Sequence, residues 1–374
     1  MKRIVILVMV FLFVLSVPVA HASVTIPIGD FSEGLAWVKK SELYGFVDTH
    51  GNWVVEPIYE TATSFVDGYA FVSNDDGESY VDVQGNIVSG PAPDYSRRHS
   101  EGVMVISKGS AYQYVAIAPD AVVPAETYEF AGTFSDGLAC VTFGPEYTSA
   151  FIDHQGQIVI LMDDELGRIS DTSKIKVNGA FPAKFIDGYA VVEGFFSNTE
   201  GTKTGGDVAV IIDLDGNKLY IHEEESEIRN CGNGIFCIYD SDKKNYYFAD
   251  ANGVNLTGEV YSGKFEQGRW NGYDTIVENG IALAGIDRKG VITPCFIDMT
   301  GQVVIPNDGW DGASPFYEGL AAVRKDGKWG YINTSGEYVI EPKYNVARPF
   351  SCGVAIVSTE EEWFIIDAQG NVLY

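Results

Sequence analysis

The sequence predicts an all-β fold: about nine antiparallel units of three short strands, each unit spanning about 34 residues, arrayed in tandem as a propeller-like ring or a superhelix. Three observations predict it. An aromatic residue, two further residues, a glycine and an apolar strand recur along the chain, as in Phe31-Ser-Glu-Gly34-Leu-Ala36 and Phe316-Tyr-Glu-Gly319-Leu-Ala321. A second strand repeatedly ends in Asp-x-x-Gly, as in Asp48-Thr-His-Gly51 and Asp153-His-Gln-Gly156. The spacing Tyr59-x-x-Ala62-x-x-Phe65 returns at Tyr128, Trp310 and Tyr344, always at the junction between units.

Taken in order, the landmark glycines fall at 34, 68, 102, 137, 188, 234, 280, 319 and 353, the copies at 102, 234 and 280 being the weaker ones. The steps between them are 34, 34, 35, 51, 46, 46, 39 and 34 residues, which describes one unit with insertions at the centre of the chain. Within a unit, an apolar run such as Leu35-Ala-Trp-Val38 leads to a second strand ending in Asp and a third such as Trp53-Val-Val55. The Asp accepts from backbone N–H groups two residues on, and the Gly takes the positive φ that ends a type I turn with a bulge. No helix-period apolar run separates the strands, so the sheets are antiparallel. In the junction, an aromatic pair brackets a small residue: the rings are expected to be buried, with Ala letting the backbones approach, and each corner needs the next unit to cover it.

Two stretches break the rhythm. Residues 161–184 insert a polar segment, a weaker junction within the domain, and Asn198 to Asp207 lengthens a loop that reads as mobile. The acidic run at Glu223, Glu224, Glu225 and Glu227 reads as a solvated edge. Unequal central units favour an open or irregular array over a closed ring.

The segment Lys328-Trp329-Gly330-Tyr-Ile-Asn333, with Gly319-Leu-Ala321 before it and Gly336-Glu-Tyr-Val-Ile-Glu-Pro342-Lys-Tyr344 after it, resembles the WG-type β-repeat of bacterial proteins. The first unit resembles it with Tyr44-Gly45 in place of Trp-Gly. Other units keep the flanks and lose the dipeptide, as at Ser149-Ala150, Tyr246-Tyr247, Pro294-Cys295 and Trp363-Phe364. The resemblance covers roughly 31–374 and implies a repeat scaffold with a binding role and no transferable catalytic residue. Phe316, Gly319, Trp329, Gly330 and Phe350 are accordingly structural residues of the repeat.

The N-terminus reads as an export signal: Lys2-Arg3, an apolar run from Ile4 to Val19, and Ala20-His21-Ala22 as the cleavage site, leaving a repeat domain over 23–374. The expectation is a secreted or surface-exposed protein with no membrane insertion after cleavage. A formal net charge of −27 argues against nucleic acid as a partner, because such a surface repels phosphate backbones. Five cysteines at irregular spacing do not form a disulfide framework. Cys140 and Cys352 read as buried thiols, whereas Cys231 and Cys237, which flank a Gly-Asn-Gly turn, are either free or bridged.

The search for chemistry gives no catalytic residue, no cofactor and no metal site. Of the histidines, His50 and His154 sit at Asp-x-x-Gly tips and His99 replaces a landmark Phe. No His-Glu-x-x-His, phosphate-binding loop or Gly-x-Ser-x-Gly is present. Asp213-Leu-Asp215-Gly-Asn217 comes nearest to a calcium loop, but the hairpin turn already accounts for its Asp residues. Trp53 and Trp270 lack equivalents in neighbouring units and are the candidate surface-binding aromatics. The sequence therefore favours a non-catalytic scaffold for a protein or cell-envelope ligand; the alternative is a carbohydrate-active hydrolase on a propeller-like fold, which requires a carboxylate pair.

Overall fold

Strands with apolar residues at consecutive positions must bury both faces, and the computed structural model shows what covers them. It describes residues 28–92, 98–144, 148–162, 168–170, 173–177, 183–197, 203–222, 228–240, 245–257, 269–270, 273–274, 277–288, 291–360 and 362–373. Among these there are strands and turns and no helix. The sheets are small antiparallel meanders, nine of them forming the blades of a β-propeller, each blade built around one landmark glycine. In the second blade a short strand, Thr61–Ala62, pairs with Tyr69–Asn74, which pairs with Gly77–Asp82 and then Ile87–Ala92. A separate two-stranded hairpin, Arg269–Trp270 with Tyr273–Asp274, falls between the sixth and seventh blades in the chain.

The landmark Phe-x-x-Gly is a two-residue hairpin. Glu33 and Gly34 have φ of 54° and 82°, and Ser32 and Leu35 exchange both backbone hydrogen bonds across them. The same pair of positive φ angles recurs at all nine landmarks, from Asp67-Gly68 to Cys352-Gly353. This is the type I′ turn, whose twist matches that of the flanking strands. At the other end of the same strand pair, Asp48 Oδ1 accepts from the N–H groups of His50 and Asn52, both at 2.9 Å, while Gly51 at φ 79° closes the turn. Seven further blades repeat that arrangement, with Asn333 standing in for Asp in the eighth.

Among the described residues the core falls into nine apolar clusters, and each is drawn from two consecutive blades. Alternate residues of one strand serve opposite seams: Leu35 packs toward the second blade, Ala36 and Val38 toward the ninth. The junction aromatics are buried as expected, with Tyr344, Ala347 and Phe350 all in the seam between the eighth and ninth blades. The landmark Phe meets a ring of the preceding blade at nearly constant geometry. Centroid separations are 4.9 Å for Phe46–Phe65, 4.8 Å for Phe151–Phe185, 4.7 Å for Phe296–Phe316 and 4.8 Å for Tyr331–Phe350.

The array is closed, which overturns the open arrangement favoured by the unequal central units. Val354, Ile356 and Ile365 of the ninth blade form one cluster with Ile28, Phe31, Ala36, Val38 and Val47 of the first. Arg348 donates to the Ile28 carbonyl at 3.0 Å and pairs with Asp30 at 2.9 Å. Ser351 Oγ donates to the Phe31 carbonyl at 2.8 Å, the same bond and length as Ser32 to Phe65 at an internal seam. The extra residues of the fifth unit extend its blade where they are described, and those before the seventh include the separate hairpin. Arg168–Ser170 and Ser173–Val177 add strands to the fifth sheet, and Lys203–Asp213 is continuous strand, so the expected loop there retains only 198–202, outside the described residues. Residues 1–27, with the export signal, and the acidic run at 223–227 also lie outside them.

Candidate functional site

Antiparallel pairing places both kinds of turn on one face. Leu35, next to the landmark turn, pairs with Asp48, which opens the Asp-x-x-Gly turn, and the same register holds at Leu320 and Asn333. That face therefore carries the landmark acids Glu33, Asp67, Glu101, Asp136, Asp187 and Glu318 together with the seven Asp residues of the second turn. The opposite ends of the strands mix Lys39, Lys40, Lys108, Lys325 and Lys328 with Glu42, Asp75, Asp76, Asp326, Glu360 and Glu362. The turn face is thus the one on which carboxylates recur blade after blade.

The landmark acids are not idle. Each reaches the backbone of the next blade's landmark turn, forming a belt. Glu33 accepts from Gly68 N–H at 2.7 Å, Asp67 from Glu101 at 2.6 Å, Glu101 from Gly137 at 3.1 Å, Asp136 from Gly188 at 2.8 Å and Asp187 from Asn233 at 2.8 Å. Glu278 accepts from Gly319 at 2.7 Å, and Glu318 from Cys352 and Gly353 at 2.8 and 2.9 Å. The Cys352 thiol takes the role at the closing seam, accepting from Gly34 N–H at 3.2 Å. Glu101 additionally holds His154 Nε2 at 2.9 Å, whose ring stacks on Phe134 at 3.9 Å.

In the second turns, burial tends to raise the Asp48, Asp82 and Asp213 carboxyls. Hydrogen bonds from Asn52, Asn86 and Asn217 and from turn backbones outweigh it, holding all three below the usual carboxylate range. At Asp298 the Thr300 hydroxyl and at Asp367 the Asn371 side chain lower the carboxyl first, helped by backbone donors. These groups stay ionised wherever the protein is folded near neutral pH. Asp213 spends its oxygens on Asp215 N–H, Asn217 N–H and the Asn217 side chain, so they serve its own turn. Among the described residues no group of three or more His, Cys, Asp or Glu side chains is placed to hold a metal ion.

The structural residues of the repeat sit where the sequence places them. Phe316 and Phe350 are seam rings, and Gly319 is the second residue of a landmark turn at φ 80°. Gly330 has a specific reason to be glycine: a Cβ there would lie 2.4 Å from the Ile340 carbonyl oxygen and 2.7 Å from Pro342 N. Gly45 meets Val55 and Pro57 at the same distances. In both blades the following strand bulges around Glu-Pro and presses on the glycine. At the matching register Ala150 and Val210 face ladders with one shift instead of two, none of it at these residues, so a side chain fits. Trp329 lies partly buried, with the Arg324 guanidinium 5.5 Å over its ring.

The two candidate binding aromatics are not brought together by any described contact. Trp53 is partly buried against the closing cluster, with Lys40 Nζ 5.8 Å over its ring. Trp270 belongs to the small hairpin, and its side chain lies outside the described residues. None of the five cysteines is disulfide-bonded, Cys231 and Cys237 included. Burial pushes the Cys140 thiol up to about 11, whereas Cys352 is only half-buried, unlike the expectation, because it stands at a landmark turn. His99 does take the landmark ring position, packed edge-on against Tyr80 at 4.9 Å.

One recess was not anticipated. At the seam between the sixth and seventh blades, a cavity of about 610 Å³ opens on the turn face, lined by Asn233, Ile235, Val277, Glu278, Asn279, Gly280 and Met299. Its sequence signal is the run of weak landmarks, where Cys231 and Val277 replace the seam ring and asparagine replaces the acid.

The family model described as "WG containing repeat" matches at residues 28–44, 44–77, 296–329 and 329–363. No curated protein matches the chain by sequence. Among solved structures, a eukaryotic initiation factor is similar at a TM-score of 0.56 and 10% identity, over 92% of this chain and 96% of that one. Hsv2 from Kluyveromyces lactis gives 0.34 at 12% identity, over 93% and 99%. The dihydro-heme d1 dehydrogenase NirN in complex with DHE gives 0.38 at 10% identity, over 92% and 73%. At these identities the likeness to the first concerns the fold alone.

Proposed function

This chain is a WG-repeat protein folded as a nine-bladed propeller, and from that premise we propose that it is an exported, non-catalytic scaffold that binds a protein or a cell-envelope polymer across its turn-bearing face. The observation that carries the reading is the concentration of carboxylates on that face. One face gathers the landmark and Asp-x-x-Gly carboxylates, five of them held below the ordinary range, while the strands' other ends mix lysines with acids. A partner presenting positive charge is drawn to such a face and oriented on it.

The seam rings and turn glycines support the same reading, since each has a structural task. The apolar run at 4–19 after Lys2-Arg3 supports export, and the family resemblance supports a bacterial source.

The test is capture from envelope extract on the immobilised mature ring, alongside a glycan array. A partner that elutes with rising salt and survives any single Asp or His substitution is the expected result. Loss of glycan turnover on one Asp or Glu substitution, in a protein that still folds, contradicts it.

A further inference from the structure

The belt has one gap. In eight of the nine landmark turns an N–H group is capped by a side chain of the preceding blade, seven times a carboxylate and once the Cys352 thiol. The exception is the seventh blade. Its turn is Asn279-Gly280, with φ of 50° and 72°, the same type I′ geometry that points these N–H groups at a cap elsewhere. The residue that should cap it is Asn233, whose amide turns aside and donates to the Val277 carbonyl at 3.4 Å. Among the described residues nothing accepts from Asn279 or Gly280 N–H, and the cavity of about 610 Å³ opens at that place.

We propose that this recess binds a carboxylate-bearing small molecule or chain end, whose carboxylate caps the Asn279 and Gly280 N–H groups as Glu33, Asp136 and Glu318 cap their neighbours. The lining divides to suit such a ligand. The turn supplies backbone donors at one end, and Ile235, Val277 and Met299 supply an apolar wall for the body of the molecule. The volume is that of a small-molecule site.

Net charge opposes any anion at long range, but screening confines that effect to about 8 Å at physiological salt. The carboxylate among the lining residues, Glu278, is already committed to Gly319 N–H. The neighbouring seam holds the Asp187 carboxylate on Asn233 N–H in the same surroundings. The apolar wall favours a peptide C-terminus over a uronic acid as the source of the carboxylate. The inference rests on the turn geometry and not on the broad-face reading, and either stands if the other falls.

The test is titration of the intact protein with N-acetyl-L-leucine, its amide, and D-glucuronate, followed by the amide NMR signals of Asn279 and Gly280. The acid is expected to bind at least tenfold more tightly than its amide and to shift both signals. The stronger of the two acids identifies the source. Asn233→Asp supplies the missing cap from within, so it is expected to weaken the acid at least tenfold and raise the melting temperature by roughly 2 °C. Met299→Trp fills the recess without touching the belt and is expected to abolish binding, which keeps the test decisive if the first variant folds poorly. Equal affinity for acid and amide, no binding of either acid, or unchanged binding in both variants overturns the proposal. Capture of a partner by the broad face is expected to be unchanged in Asn233→Asp.

Discussion

At the scale of single residues, a glycine or an aspartate in this repeat is explained by what lies within a few ångströms of it. Gly330 is glycine because the Glu341-Pro342 bulge brings the Ile340 carbonyl to 2.4 Å of where a Cβ would sit. Replacing Gly330 with Ala must displace backbone and is expected to cost about 1–3 kcal/mol, read by urea unfolding. Gly45→Ala should cost the same, since its surroundings are the same. The aspartates make a prediction in pH. The Asp82 carboxyl, despite the opposing pull of burial, is held low by Asn86, Gln84 and Gly85. Its folded value lies below its unfolded one, so its contribution is complete above the unfolded value, about 3.9, and is lost as pH falls through the folded one. Asn333 makes the same two turn bonds, at 3.0 Å each, without a charge. Asp82→Asn is therefore expected to leave stability at pH 7 nearly unchanged and to flatten its decline below about pH 4, measured by denaturant titration across the acid range.

At the scale of the blade, the seam is the unit of stability, because a meander buries its faces only against its neighbours. Phe316→Ala removes a ring packed 4.7 Å from Phe296 and leaves a void between two blades. The expected loss is about 3–5 kcal/mol, read as the shift in the unfolding midpoint at constant slope. Much of the blade was legible in advance. The landmark Phe, the Asp-x-x-Gly turn and the Tyr-x-x-Ala-x-x-Phe corner each sit where their spacing puts them, because short-range turn chemistry and alternation determine all three. The I′ hairpin itself was missed, although Asp67-Gly68, Asn233-Gly234 and Asn279-Gly280 spell its preferred dipeptides. The belt that those acids form, and the recess where it breaks, were not legible. They depend on the next blade's position, and Asn233 and Asn279 read alone as ordinary turn residues.

At the scale of the whole molecule, ring closure is the property that no local pattern encodes. It depends on the summed rotation of nine blades, and the unequal spacing of the central landmarks pointed the other way. What closes the ring is the reuse of an internal bond at the ends: Ser351 to the Phe31 carbonyl matches Ser32 to the Phe65 carbonyl at 2.8 Å. Ser351→Ala should therefore cost as much as Ser32→Ala, about 1 kcal/mol, in paired unfolding curves. In an open array Ser351 keeps only its weak contact to the Cys352 thiol at 3.7 Å, and its removal is nearly silent. The most direct measurement of closure is small-angle X-ray scattering of the folded protein in dilute solution. A closed nine-bladed disc predicts a radius of gyration of about 21 Å, the value for a compact chain of this length, and a pair-distance distribution with a single short maximum. A markedly larger radius with a long, skewed distribution contradicts it, because the first and ninth blades then stand apart.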